Sequence, residues 1–133
     1  MESNRDIKSH RDLQVWKASM DFAVAIYRAS MAFPQTERFA LANQMQRAAV
    51  SIPSNIAEGH ARQSTADFLH FLSIAKGSLA EIETQLELSS RLGYIEPAPL
   101  QEVLQQATSI GRMLSALQQR LRARLATSKS PSP

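Results

Sequence analysis

The chain reads as an all-α protein, an antiparallel up-down-up-down four-helix bundle, and three observations carry that reading. It holds 19 Ala and 14 Leu against 4 Val, with 6% aromatic residues, a composition that favours helix over sheet. Glycine and proline divide it into four long segments in which apolar residues recur every three or four positions. Its 133 residues suffice for one core and leave no room for a second domain.

The first helix is predicted over residues 12–32, after a polar N-terminal arm of residues 1–11. Asp12 suits its N-cap, Leu13, Trp16, Met20, Ala23, Tyr27 and Ser30 form its apolar stripe, and Pro34 stops it. The second helix covers 36–58, with Ala42, Met45, Ala49, Ile52 and Ile56 as its stripe and Gly59 placed to end it in the left-handed conformation. The third, 64–92, opens on Ser64-Thr65-Ala66-Asp67, a capping-box spacing in which the Ser hydroxyl and the Asp carboxylate each satisfy a free backbone donor. Phe68, Leu72, Ala75, Leu79, Ile82 and Leu86 give it a bundle seam, and Gly93 closes it. The fourth, 98–124, starts among Pro97 and Pro99 and continues through Leu100, Leu104, Ala107, Ile110, Leu114, Leu117 and Leu121. The bundle domain is thus 12–125, followed by a disordered tail, 126–133. Gly59 and Gly93 lie 34 residues apart, as do Gly77 and Gly111, but the intervening residues do not repeat, which excludes a helical solenoid.

Secondary stripes suggest contacts beyond one bundle. Ser73, Gly77, Ala80 and Thr84 line one face of the third helix, where small residues admit a close helix neighbour, either within the bundle or from a second subunit. Val15, Phe22 and Ile26 on the first helix, and Phe39, Leu41 and Val50 around the second, lie outside the main stripes and point to oligomerisation, with a larger internal core as the alternative.

Several chemistries find no support. Zero cysteines remove disulfides, thiolate metal sites and cysteine nucleophiles. No window approaches the roughly 18 apolar residues of a membrane span, and the first residues lack the apolar core of a secretion signal, so a soluble cytoplasmic protein is expected. The four glycines are too dispersed to cradle a phosphate, and His10, His60 and His70 lack the spacing that puts two imidazoles on one helix face. Glu81, Glu83 and Glu87 cluster on the third helix without a histidine, cation or hydroxyl partner prescribed nearby, which reads as a solvated face. The expectation is a protein with no catalytic residues, no metal and no cofactor.

The run Ser51-Ile52-Pro53-Ser54-Asn55-Ile56-Ala57-Glu58-Gly59 is the most informative stretch. Pro53 within a helix removes a backbone bond and crowds the carbonyl of Ala49, so tertiary contacts must support it. Asn55 and Glu58 share a face and are placed to bond across to a neighbouring helix or subunit, most simply as a polar cluster that stabilises the kink.

With Leu13-x-Val15-Trp16, Phe33-Pro34-x-x-Glu37, Leu41-x-x-Gln44-Met45-x-Arg47-Ala48-Ala49, Phe71-Leu72-x-Ile74-Ala75-x-Gly77-Ser78-Leu79-x-Glu81 and Leu92-Gly93-Tyr94-Ile95, this run resembles the four helix bundle protein family. Its members are also called intervening-sequence proteins of the large-subunit ribosomal RNA. The resemblance covers about residues 12–121. It implies a bacterial four-helix bundle protomer assembled into a ring-like homopentamer. A similar branch supplies the accessory protein of diversity-generating retroelements, where a basic pentamer binds nucleic acid and a reverse transcriptase. For most members the biochemical role is unknown.

Charge fits that implication. The formal net charge is +3, but residues 1–102 hold 10 Lys+Arg and 12 Asp+Glu, whereas 103–133 hold 5 Lys+Arg and no acid. Five copies would carry about +15 around a ring. Lys17, Arg38, Arg47, Arg62, Arg112, Arg120, Arg122 and Arg124 are the candidate phosphate partners for non-specific binding of RNA or DNA. Against that, Arg120, Arg122 and Arg124 complement the dipole of the fourth helix, and Arg38, Arg47 and Arg62 have Glu37, Glu58 and Asp67 as available acids. Trp16 and Tyr27 lie on the core stripe, so stacking platforms for bases are not expected. The alternative is a protein-binding scaffold, for instance a partner of a reverse transcriptase, with nucleic-acid contact incidental.

Overall fold

The computed structural model describes residues 9–128. It contains α1 (Gln14–Ser30), α2 (Leu41–Ala61), α3 (Thr65–Arg91) and α4 (Pro97–Ser128), with 3-10 turns at His10–Asp12 and Gln35–Glu37 and no strand among the described residues. Each helix packs on its sequence neighbours and α4 closes on α1, which is the expected up-down-up-down bundle. The tightest pairing is α2 with α3.

Helix ends follow local chemistry. Ser64 Oγ accepts from the Asp67 backbone N–H at 3.0 Å, and Gly93 follows α3 with φ +75, as the sequence predicts. The second helix begins later than predicted, because residues 35–37 form a separate 3-10 turn, and it runs through Gly59 to Ala61. Gly59 is therefore not a left-handed terminator. Its missing Cβ makes room for α3: a Cβ there would lie 2.8 Å from Phe71 Cβ and 2.9 Å from Phe68 Cδ1. The fourth helix extends past the predicted end, so residues 126–128 of the expected tail are helical; residues 129–133, like 1–8 of the expected arm, lie outside the described region.

The seams predicted for α2, α3 and α4 are the core: Met45, Ala49, Ile52, Ile56, Leu72, Ile82, Leu86, Ala107, Ile110 and Leu114 are at most 1% exposed. On α1 the prediction holds for Leu13, Ala23 and Ser30, which are buried, and fails for the rest of the stripe. Val15, Phe22 and Ile26 are buried with Ser19, whose hydroxyl donates to the Val15 carbonyl at 2.7 Å, while Met20 and Tyr27 are exposed and Trp16 is half-buried. Leu41 is likewise buried, so of the six apolar residues on α1 and around α2 that pointed to oligomerisation only Phe39 and Val50 remain on the surface.

Pro53 is buried between α1 and α2, and a polar cluster supports the helix around it. Asn55 Nδ2 donates to Ser51 O at 2.8 Å and to Ser51 Oγ at 2.9 Å, and Ser51 Oγ meets Ser78 Oγ of α3 at 2.8 Å. The link across to α3 is made by Ser51. Asn55 serves its own helix, and Glu58 faces outward to Arg62 at 3.8 Å.

Candidate nucleic-acid interface

One pole of the bundle gathers the end of α2, the start of α3, the start of α1 and the end of α4. The α2–α3 connection builds its first part. Because Gly59 lets Phe68 and Phe71 close on α2, the side chains on either side of the turn stack onto those rings. The Arg62 guanidinium lies 4.9 Å over the Phe71 ring. His60 meets Phe68 edge-on at 5.8 Å and His70 meets Phe71 at 5.5 Å.

The N-terminal 3-10 turn adds a second, similar arrangement. His10 packs edge-on against Trp16 at 5.0 Å, and Arg11 lies 5.8 Å over the same indole. Trp16 lines a groove of about 460 Å³ with Pro53 and Ala57, so the last turns of α2 have Trp16 on one side and Phe68 and Phe71 on the other.

The third part comes from α4. Lys76 Nζ donates to Ser115 Oγ at 3.1 Å and Gln118 Nε2 to Ser73 Oγ at 3.4 Å, which sets the antiparallel register of α3 and α4. In that register Arg120, Arg122 and Arg124 lie level with the first turns of α3. All three are exposed, as are Arg11 and Arg62. The nearby acids are fewer than the arginines: Asp12 closes the N-terminal 3-10 turn, Glu58 is paired with Arg62, and Asp67 sits in the first turn of α3. The opposite pole is mixed, with Arg28, Arg38 and Arg91 beside Glu37, Glu87, Glu96 and Glu102.

The structure thus brings together five of the eight candidate phosphate partners, Lys17 in the first turn of α1 with Arg62, Arg120, Arg122 and Arg124. It separates the others. Arg47 lies on the outer surface of α2, and Arg38 at the opposite pole, 5.8 Å over Phe39. Arg112 stands halfway along α4 in a groove of about 620 Å³ shared with Lys76, Ser115 and Glu83. Of the acids available to Arg38, Arg47 and Arg62, only Glu58 forms an ion pair, with Arg62, among the described residues. Sequence reasoning missed Arg11 and Lys76. Arg11 falls one turn before Trp16, a spacing that could have flagged it, whereas Lys76 stands alone among the acids of α3 and had no such signal.

The small-residue face of α3 is on the surface. Ser73, Gly77, Ala80 and Thr84 are exposed, and a Cβ at Gly77 would meet nothing within 4 Å. Packing within the bundle therefore does not explain Gly77. Glu81, Glu83 and Glu87 are solvated as expected, with Glu87 3.1 Å from Arg91. No group of His, Asp or Glu able to hold a metal occurs among the described residues, and none of their helices is long and apolar enough to cross a membrane.

Comparison with known proteins agrees with this architecture. Residues 11–116 match the family model described as 23S rRNA-intervening sequence protein. A solved structure from Bacteroides thetaiotaomicron, a protein of unknown function from the S23 ribosomal protein family, superposes with a TM-score of 0.73 at 31% identity, covering 79% of this chain and 95% of that one. No protein of curated function matches the chain.

Proposed function

The chain belongs to the 23S rRNA-intervening sequence protein family, and from that premise we propose that it is a non-catalytic, self-assembling bundle that holds RNA or DNA by its phosphates at the basic pole. The supporting observation is the convergence of Arg11, Arg62, Arg120, Arg122 and Arg124 on one end, with most of the acids elsewhere. Exposed guanidinium groups without base-reading geometry contact the phosphate backbone, which gives affinity that is sequence-tolerant and steeply salt-dependent. Retention of a labelled RNA at low salt, lost progressively as salt rises, supports this reading. If micromolar protein at low salt retains neither RNA nor DNA, the reading fails.

Self-assembly into a homopentamer is part of the proposal. It is supported by Met20, Val24, Tyr27 and Val50, each more than 40% exposed around the α1–α2 groove, and by the open space over Gly77 on α3. These surfaces lie on different sides of the protomer, and a contact between unlike surfaces builds a ring where its rotation closes, not a two-fold dimer. Light scattering should give the mass of five 14.8 kDa chains; a monomer at micromolar concentration would exclude it.

The same apolar groove favours a second reading, a scaffold that binds a protein such as a reverse transcriptase. Charge reversal at the pole would leave such binding intact while abolishing any nucleic-acid retention.

A further inference from the structure

Resting on the phosphate-binding reading above, the geometry of the pole carries the substrate class further: we infer that it selects single-stranded over double-stranded nucleic acid. A duplex presents phosphates and groove edges, whereas a single strand also offers unstacked bases, which bind by lying on aromatic rings or on arginine guanidinium planes. This pole holds both kinds of surface. Arg62 sits 4.9 Å over Phe71 and Arg11 5.8 Å over Trp16, so each guanidinium is steadied from below by a ring. The Arg62 side chain keeps 49% of its surface exposed in that position. The two arginine–aromatic pairs flank the last turns of α2, with His60 and His70 edge-on to the neighbouring Phe68 and Phe71.

Base stacking at this pole departs from the expectation that stacking platforms are absent. That expectation rested on Trp16 and Tyr27 lying on the core stripe; Tyr27 is 43% exposed, and Trp16 packs against the edge of the core while Val15, Phe22 and Ile26 fill it. Trp16 is left half-buried at the surface, with a basic side chain on it. Arg120, Arg122 and Arg124 on α4 then supply phosphate contacts beside the stacking pairs, the combination of rings and cations by which single strands are held without sequence preference. A rigid duplex could reach the arginines of α4 but could not insert bases beside Phe71 or Trp16.

The test uses labelled oligo-dT and oligo-U of about 20 nucleotides and a mixed-sequence duplex with the same number of phosphates, titrated at one salt concentration. The single strands should bind about tenfold more tightly than the duplex. They should also quench the fluorescence of Trp16, the one tryptophan in the chain, and the duplex should not. Arg62→Lys keeps the charge but removes the guanidinium plane, so it should weaken single-strand binding several-fold more than it weakens duplex binding. Equal affinity for both forms, with no quenching, would overturn this inference and leave phosphate binding standing. Failure of both forms to bind would remove the underlying reading as well.

Discussion

The Tyr94 hydroxyl donates to Glu37 Oε2 at 3.0 Å, tying the α3–α4 connection to the α1–α2 connection at the pole opposite the arginines. The same carboxylate accepts from the Leu41 backbone N–H at 3.4 Å, at the start of α2, and the Phe33 ring lies 5.5 Å from that of Tyr94. One carboxylate therefore fixes two chain reversals.

The hydrogen bond to Glu37 pushes the Tyr94 phenol above its ordinary pKa, with burial and the negative charge of Glu37 acting the same way. The neutral phenol is the form that stabilises the fold, so its contribution is complete below about pH 10 and is lost as pH rises through the raised value. Tyr94→Phe should lower the melting temperature near neutral pH, and the gap between variant and parent should narrow above about pH 10. Melting curves at the two conditions check this; a gap that stays constant would contradict the assigned bond.

The buried face of α1 makes a second prediction. Phe22 is fully buried, and Phe22→Ala should cost about 3–5 kcal/mol in chemical denaturation. Tyr27 is 43% exposed, and Tyr27→Ala should cost about 1 kcal/mol or less while weakening self-assembly. The sequence alone predicts the opposite order, so the pair discriminates sharply.

Two glycines in helices should respond in opposite directions. At Gly59 an added methyl meets Phe71 Cβ and Phe68 Cδ1 at under 3.0 Å, and Gly59→Ala should destabilise by about 1–3 kcal/mol as the α2–α3 packing shifts. At Gly77 the space is open, and Gly77→Ala should stabilise by about 0.5–1 kcal/mol through helix propensity. Gly77→Leu separates the roles further: it should leave the protomer folded and disrupt the assembly, as followed by light scattering.

The third helix was legible almost to the residue because its ends carry their own chemistry, the Ser64 cap and the positive φ of Gly93. The first was not. Leu13, Trp16, Met20, Ala23 and Tyr27 satisfy the helical period, and so do Val15, Ser19, Phe22 and Ile26, one face around. Periodicity cannot choose between two such stripes: the core takes Val15, Ser19, Phe22 and Ile26 together with Leu13, Ala23 and Ser30 of the first, and the buried Ser19, satisfied by the Val15 carbonyl, hid that boundary. Gly59 misled in a different way, since a glycine needed for close packing looks in sequence like one needed for a turn. The arginines were individually visible, but Arg62 and Arg122 are 60 positions apart and share a pole only through the antiparallel register that Lys76, Ser73, Ser115 and Gln118 set.

The basic pole is the central claim, and salt titration of single-strand binding by two double variants tests it most directly. Arg122→Glu with Arg124→Glu removes charge at the pole, while Arg47→Glu with Arg112→Glu removes the same charge from the sides of α2 and α4. The pole variant should weaken binding and flatten the slope of log affinity against log salt by about 1 or more, with the lateral variant close to the parent. Equal losses in both variants would mean that net charge alone attracts nucleic acid, and would contradict a site at this end of the bundle.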